Sequence, residues 1–276
     1  MTRAARGGVF CLLLAAGALP PAPAHAFASE LYSSMSYLGL SIEAPAGIGV
    51  DWTLPWYGQL DAEAVDSTPD ARVAGLKPEG NTLDVAVQAP TPLALAIADI
   101  VVVDGDAIGE AGAGLEGFAD AQAGLDPGDG YAYAYAGSYF ENRFQVAGET
   151  SGEAALLRLS LTWSGEFGVA TGAGTAGWEM LSSVFLQLYD LSADAVLADD
   201  AQLLLEGGTG ATALTWQGDG TLSVEYGLLP GREYLLLGAA DVAVFVTTPA
   251  PWGLLLAGVA GLRLLRRART HARRPS

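Results

Sequence analysis

Hydrophobic and polar positions alternate with a period of two along much of the chain. Leu157, Leu159, Leu161 and Trp163 interleave with Leu156, Arg158, Ser160 and Thr162. Val184, Leu186 and Leu188 interleave with Phe185, Gln187 and Tyr189. Leu222, Val224, Tyr226 and Leu228 do the same with Ser223, Glu225 and Gly227. Successive side chains of a strand point to opposite faces, so this pattern predicts strands that bury one face. Leu93 to Val103 and Tyr234 to Val246 are longer apolar runs and predict two more strands. Turn-forming clusters punctuate the runs: Asp126-Pro-Gly-Asp-Gly130, Gly207-Gly208, Gly218-Asp-Gly220 and Pro230-Gly231. No long stretch of residues 27–246 shows a helical period with capping residues. The expectation is an all-β fold, an antiparallel β-sandwich of jelly-roll-like kind.

Two tracts break the pattern. Asp66 to Asn81 is rich in Pro, Gly and charge and reads as a loop. Ala107 to Gly130 is a Gly/Ala/Asp tract and reads as a long surface connection. The best-patterned block is 131–246, with 27–106 adding strands to the same sandwich. No repeat of fixed period is present.

The two ends are different in kind. Arg3 and Arg6 precede an apolar run from Val9 to Leu19, and Ala24-His25-Ala26 follows. A positive start, a short apolar run and an A-x-A site predict a secretory signal peptide, residues 1–26, cleaved after Ala26. At the other end Trp252 to Leu262 is uninterrupted apolar sequence, followed by Arg263, Leu264, Leu265 and further arginines. This predicts a single short membrane helix over about residues 251–265. Arginines beside such a segment stay cytoplasmic, which places the acidic domain outside. The expected organisation is a signal peptide (1–26), a β-sandwich domain (27–246) and a membrane-associated tail (247–276).

Charge follows the same division. The chain carries a formal net charge of −18, yet all 31 Asp and Glu fall between Glu30 and Asp241. Only Arg72, Lys77, Arg143, Arg158 and Arg232 accompany them there. Such a domain repels nucleic acid and anionic lipid and attracts cations or basic partners.

Residues 27–250 contain neither His nor Cys. That removes Ser-His-Asp and Cys-His catalysis and His- or Cys-ligated metal sites from this region. Lys77 is the only lysine. Paired carboxylates remain as the basis of a glycoside hydrolase, with no motif to select a pair. No catalytic residue is assigned and no cofactor is expected. Asp104, Asp106, Asp126 and Asp129 are weak candidates for calcium, which prefers oxygen ligands, although none has EF-hand spacing and Asp is also a turn residue. Asp99 and the group Asp190, Asp194, Asp199 and Asp200 share that ambiguity. Tyr131, Tyr133, Tyr135 and Tyr139 have the parity to share one strand face, as a platform for sugar rings or as ordinary packing aromatics. Trp52, Trp56 and Tyr57 form a second aromatic group.

The layout Pro249-Ala250-Pro251, short apolar segment, Arg266-Arg267 resembles the PEP-CTERM sorting signal of Gram-negative bacteria, over residues 247–274. Both prolines match, while Ala250 stands where that motif has glutamate. The resemblance implies processing by an exosortase, with Pro249, Pro251, Arg266 and Arg267 as sorting residues. It also implies association with extracellular polysaccharide and biofilm. The expected function is an exported, membrane-anchored or surface-sorted non-enzymatic protein of the cell envelope or matrix. A carbohydrate- or calcium-binding module and a carboxylate-dependent glycoside hydrolase are the alternatives. The expected partners are the secretion machinery, the membrane, an exosortase and polysaccharide, with no nucleic acid.

Overall fold

The computed structural model describes residues 29–53, 55–68, 71–109, 114–126, 129–148 and 154–248. The cleavage residues Ala24 and Ala26, the membrane segment, and Pro249, Pro251, Arg266 and Arg267 lie outside the described residues. Among the described residues no helix is long and apolar enough to cross a membrane.

The strands are β1 (Ser29–Glu43), β2 (Gly49–Trp52), β3 (Trp56–Asp66), β4 (Ala71–Leu76), β5 (Glu79–Gly80), β6 (Leu83–Pro90) and β7 (Ala94–Val103). They continue with β8 (Gly114–Leu125), β9 (Tyr131–Ala147), β10 (Ala155–Thr171), β11 (Gly177–Asp190), β12 (Ala195–Gly208), β13 (Thr212–Leu228) and β14 (Glu233–Thr247). They form two antiparallel sheets. One has six strands in the order β13-β10-β1-β8-β7-β6. The other has eight, ordered β12-β11-β14-β9-β3-β4, with β2 beside β9 and β5 beside β3. The fold is all-β and sandwich-like: β8 lies over β9 and β14, β1 over β14, and β7 over β3 and β9.

The period-two runs read from the sequence become β10, β11 and β13, and the two long apolar runs become β7 and β14. Their inward side chains make one core in which Leu31, Trp56, Leu60, Ile100, Leu157 and Leu159 are fully buried. Burying one such side chain contributes about 1.5–3 kcal/mol, so facing rows of them drive the two sheets together. Polar ties cross the dry interior. Ser33 of β1 bonds Ser182 of β11 at 2.5 Å. The Tyr37 hydroxyl on β1 meets Ser138 Oγ on β9 at 3.2 Å, and Ser138 Oγ donates to the Asp99 carbonyl at 2.6 Å. Burial drives the Tyr37 phenol well above its ordinary pKa.

Three expectations need correction. The tract Ala107 to Gly130 is not a long connection: it contains β8, a central strand paired to β1 and β7. Its small residues are there because the sheets approach closely. Tyr37 lies directly over Gly117, where any side chain would collide with the ring. The tract Asp66 to Asn81 contains β4 and β5, which pair with β3. It reads as a loop because these short edge strands have little core to fill. Gly218-Asp-Gly220 is not a turn but lies inside β13, paired with Gly165, Ser164 and Trp163. Side chains there would strike the indole rings of Trp216 and Trp163, so these glycines leave room for rings. Trp216 stacks on Trp163 at 6.4 Å and on Phe167 at 5.7 Å. On the same flank Asp200 of edge strand β12 accepts the Ser223 amide of edge strand β13 at 2.8 Å, satisfying a donor that an edge leaves open.

Candidate functional site

The molecule offers two broad outward sheet faces, and strand register determines what each carries. On the eight-stranded sheet the odd-numbered residues of β3, β9, β11 and β14 point outward. Gly137 of β9 pairs with Asp241 of β14 on one side and Asp61 of β3 on the other. Tyr135 and Tyr139 flank Gly137 on the same strand. Both tyrosine hydroxyls donate to the same carboxylate oxygen, Asp241 Oδ1, that of Tyr135 at 2.8 Å. The two hydroxyls lie 2.8 Å apart. A side-chain carbon at Gly137 would lie 2.6 Å from both Asp241 Oδ1 and the Tyr135 oxygen. The phenols therefore lie down over the sheet, and only glycine fits beneath them. Asp241 is 6% exposed although it points away from the core. Burial first, and the adjacent carboxylate second, push the pKa of both tyrosines well above the ordinary phenol range.

Around this cluster the face carries apolar residues toward the β12 edge, with Glu179 beside Phe245 among them, and acidic residues toward the β3 side. Outward Leu181, Ala243 and Phe245 continue into Leu203 and Leu205 of β12, which are 60% and 66% exposed. On the opposite side Glu63 pairs with Tyr135, and further along Glu141 pairs with Tyr57.

The outward face of the six-stranded sheet is hydrophilic. Across one row stand Gln217, Glu166, Ser34, Asp120, Ile97 and Gln88, and across the next Asp219, Ser164, Ser36, Phe118, Asp99 and Ala86. Ser36 bonds Ser164 at 2.9 Å, and Gln217 donates to Glu166 at 3.1 Å. Asp120, 8% exposed, accepts Gln122 Nε2 at 3.0 Å. Burial raises the carboxyl pKa of Asp120 to about 6, opposed by the Gln122 bond and reinforced by Glu166. Burial, with Glu116 and Asp84 nearby, raises Asp99 to about 6 as well. Tyr32 and Phe118 are half-buried on this face.

The four tyrosines share one strand face, as their parity predicts. The second aromatic group divides. Trp56 is fully buried and donates its indole N–H to the Gly105 carbonyl at 2.9 Å. Trp52 donates to Ile108 at 2.8 Å and packs on Trp56 with centroids 4.8 Å apart. These two anchor the turn after β7, while Tyr57 is exposed on the eight-stranded face.

The calcium candidates do not converge. Asp104 and Asp106 lie before the start of β8, where Asp106 accepts Asn81 Nδ2 at 3.1 Å. Asp126 and Asp129 lie past its other end, where Asp129 Oδ2 accepts the Asp126 amide at 2.8 Å. The 12 residues of β8 separate the pairs, a span of roughly 40 Å. Among the described residues no group of three or more acidic, His or Cys side chains could hold a metal ion. Asp190 caps its own turn by accepting the Ser192 and Ala193 amides.

Asp241 and Asp120 were not singled out from sequence for catalysis or binding, and Asp99 was named only among the calcium candidates. The available signal was a lone carboxylate inside an apolar strand run, as in Ala240-Asp241-Val242. No protein-family model matches the chain, and no curated protein or solved structure matches it.

Proposed function

We propose that this is an exported, non-enzymatic protein of the cell envelope or extracellular matrix that holds polysaccharide on the outward face of its six-stranded sheet. The observation that carries the reading is the composition of that face. Hydroxyls, amides and carboxylates stand in regular rows, with Tyr32 and Phe118 among them. Fixed hydrogen-bonding groups beside aromatic rings suit the polar edges and apolar faces of sugar rings. The acidic surroundings favour a neutral polymer over an anionic one. The passage of the chain from sheet to sheet between β8 and β14 supports a jelly-roll-like sandwich. Delivery rests on the ends of the sequence: a secretory leader cleaved after Ala26 and a PEP-CTERM-like tail that an exosortase would process near Pro249 and Pro251.

Affinity electrophoresis of the folded protein through gels containing neutral polysaccharides tests the binding reading. Retardation by at least one polymer is expected, weakened at least fivefold by Tyr32→Ala with Phe118→Ala and unchanged by Tyr133→Ala on the opposite face. Passage unretarded through every polymer, or equal retardation of the double variant, removes it. Intact mass of the protein from membranes and from medium tests delivery. A released form ending near Pro249 supports processing, and a full-length membrane form alone argues for a plain anchor.

A second reading has one observation in its favour. Asp99 and Asp120 titrate near 6, in the range of a general acid. Hydrolysis of a glycan panel, abolished by Asp99→Asn and by Asp120→Asn, is what that reading requires.

A further inference from the structure

The eight-stranded sheet ends in two edge strands, β12 and β4, and among the described residues neither has a strand on its outer side. We propose that β12 of one copy pairs with β4 of the next, so that copies assemble head to tail through this sheet. Strand direction, hydrogen-bonding phase and side-chain chemistry each select this contact.

Direction comes first. The five pairings that lead from β12 to β4 are all antiparallel, so the two edges run in opposite directions. A second copy set beside the first in the same orientation therefore meets it as an antiparallel neighbour. The phase agrees. The Gly58 amide bonds the Pro78 carbonyl at 2.8 Å, in register with β4, so even-numbered residues of β3 and β4 bond each other. Residues 71, 73 and 75 then aim their amides and carbonyls away from the sheet. The Thr248 amide bonds the Gly130 carbonyl at 3.0 Å, so even-numbered residues of β14 bond β9 and odd-numbered ones bond β11. Carried across β11, the same alternation leaves residues 199, 201, 203 and 205 of β12 aimed away from the sheet. Both sets carry their side chains on the outward face, so one ladder joins the two faces edge to edge.

Chemistry then sets the register. Arg72 lies in β4 and Lys77 directly after it, while β12 holds Asp199, Asp200 and Glu206 and no basic residue. The outward apolar side chains are Val73, 76% exposed, on one edge and Leu203 and Leu205 on the other. Setting Val73 against Leu203 places Ala71 against Leu205 and Lys77 against Asp199, so apolar meets apolar and base meets acid. The edges of the six-stranded sheet offer no such match. β6 and β13 carry Asp84, Asp219 and Glu225 with no basic residue, and β13 turns Thr215, Gln217 and Thr221 outward. The contact uses different patches on the two copies and does not close, so it builds an open row rather than a dimer. It does not rest on polysaccharide binding, which uses the other sheet.

Sedimentation of the full chain in mild detergent, over a concentration series near physiological salt, reads the assembly. The tail and the detergent are the same for every variant, so differences between variants report the edges. Wild type should form species larger than a dimer that grow with concentration. Lys77→Glu and Asp199→Lys should each raise the concentration for half-assembly about fivefold, and the two together should restore it. Both residues are solvent-exposed, so equal melting temperatures should confirm that all four proteins fold alike. A wild type that stays monomeric at every concentration overturns the proposal, as does an assembly that stops at two copies. Single variants that assemble like wild type, or a double variant that does not recover, overturn it equally.

Discussion

The two outward faces are both made from antiparallel strands whose side chains alternate in and out, yet they handle buried carboxylates in opposite ways. On the eight-stranded face Asp241 is held by two phenol hydroxyls above a glycine. On the six-stranded face Asp120 has one amide partner and an acidic neighbour in Glu166. The first arrangement satisfies its carboxylate and rigidifies the surface. The second leaves a carboxylate desolvated, with spare acceptor capacity directed at whatever lands on the face. A buried polar group that is fully paired stabilises, whereas one only partly paired costs stability and is retained where it serves something else.

The sharpest break in this comparison comes from the glycines beneath the aromatic rings. Gly137→Ala forces a methyl into Asp241, Tyr135 and Tyr139, whose positions are mutually fixed. It should destabilise by about 2–3 kcal/mol, the range of overpacking in a rigid site. Gly168→Ala on the other face drives a methyl into Tyr32, a half-buried ring with room to swing outward. That change should cost about 1 kcal/mol or less. Urea denaturation of the two variants checks the difference. Equal losses would mean that the two surfaces are equally rigid.

Removing the acceptor comes next. Asp241→Ala leaves two buried phenol hydroxyls competing for each other, with an expected loss of about 2 kcal/mol. Asp241→Asn keeps a carbonyl oxygen in place and should recover about half of it. If the alanine variant melts like wild type, the cluster contributes nothing and the face is held by its apolar neighbours alone.

How much of this was legible beforehand depends on what the signal measures. Periodicity reports burial, so β10, β11 and β13 could be read from alternating leucines, and β7 and β14 from their apolar runs. It fails for β8, where Ala119, Ala121 and Ala123 line a closely packed core and resemble a flexible tract by composition. It fails again at Gly218 and Gly220, since a glycine making room for an indole has the same letter as a glycine making a turn. The tyrosine parity of β9 was visible, but its partner Asp241 was not. Their encounter depends on a register between strands about 100 residues apart, which no local window contains. The calcium candidates Asp104 and Asp106 stand at one end of β8 and Asp126 and Asp129 at the other, separated by the 12 residues of that strand.

The smallest expected effect separates the faces by pH. Asp120 and Asp99 have folded pKa values of about 6, above the ordinary 3.8. A folded pKa raised in this way means that the native state holds the proton more tightly than the unfolded chain. The associated stability is complete below about pH 4 and is lost as pH rises to about 6, and the native state then carries a desolvated charge. Asp120→Asn should therefore raise stability at pH 7 by on the order of 1 kcal/mol and change little at pH 4. Asp99→Asn should do less, because that carboxyl is partly screened by solvent. The tyrosine cluster has its window elsewhere. The phenol pKa values are raised from 10.0, so its contribution persists through neutral pH and is lost only in alkali. Melting temperature against pH for wild type and the two asparagine variants checks this. The curves should diverge between pH 4 and 6 and run parallel above it. Curves that stay parallel from pH 4 upward would mean that the six-stranded face is better solvated than its packing implies, and the contrast between the two surfaces would disappear.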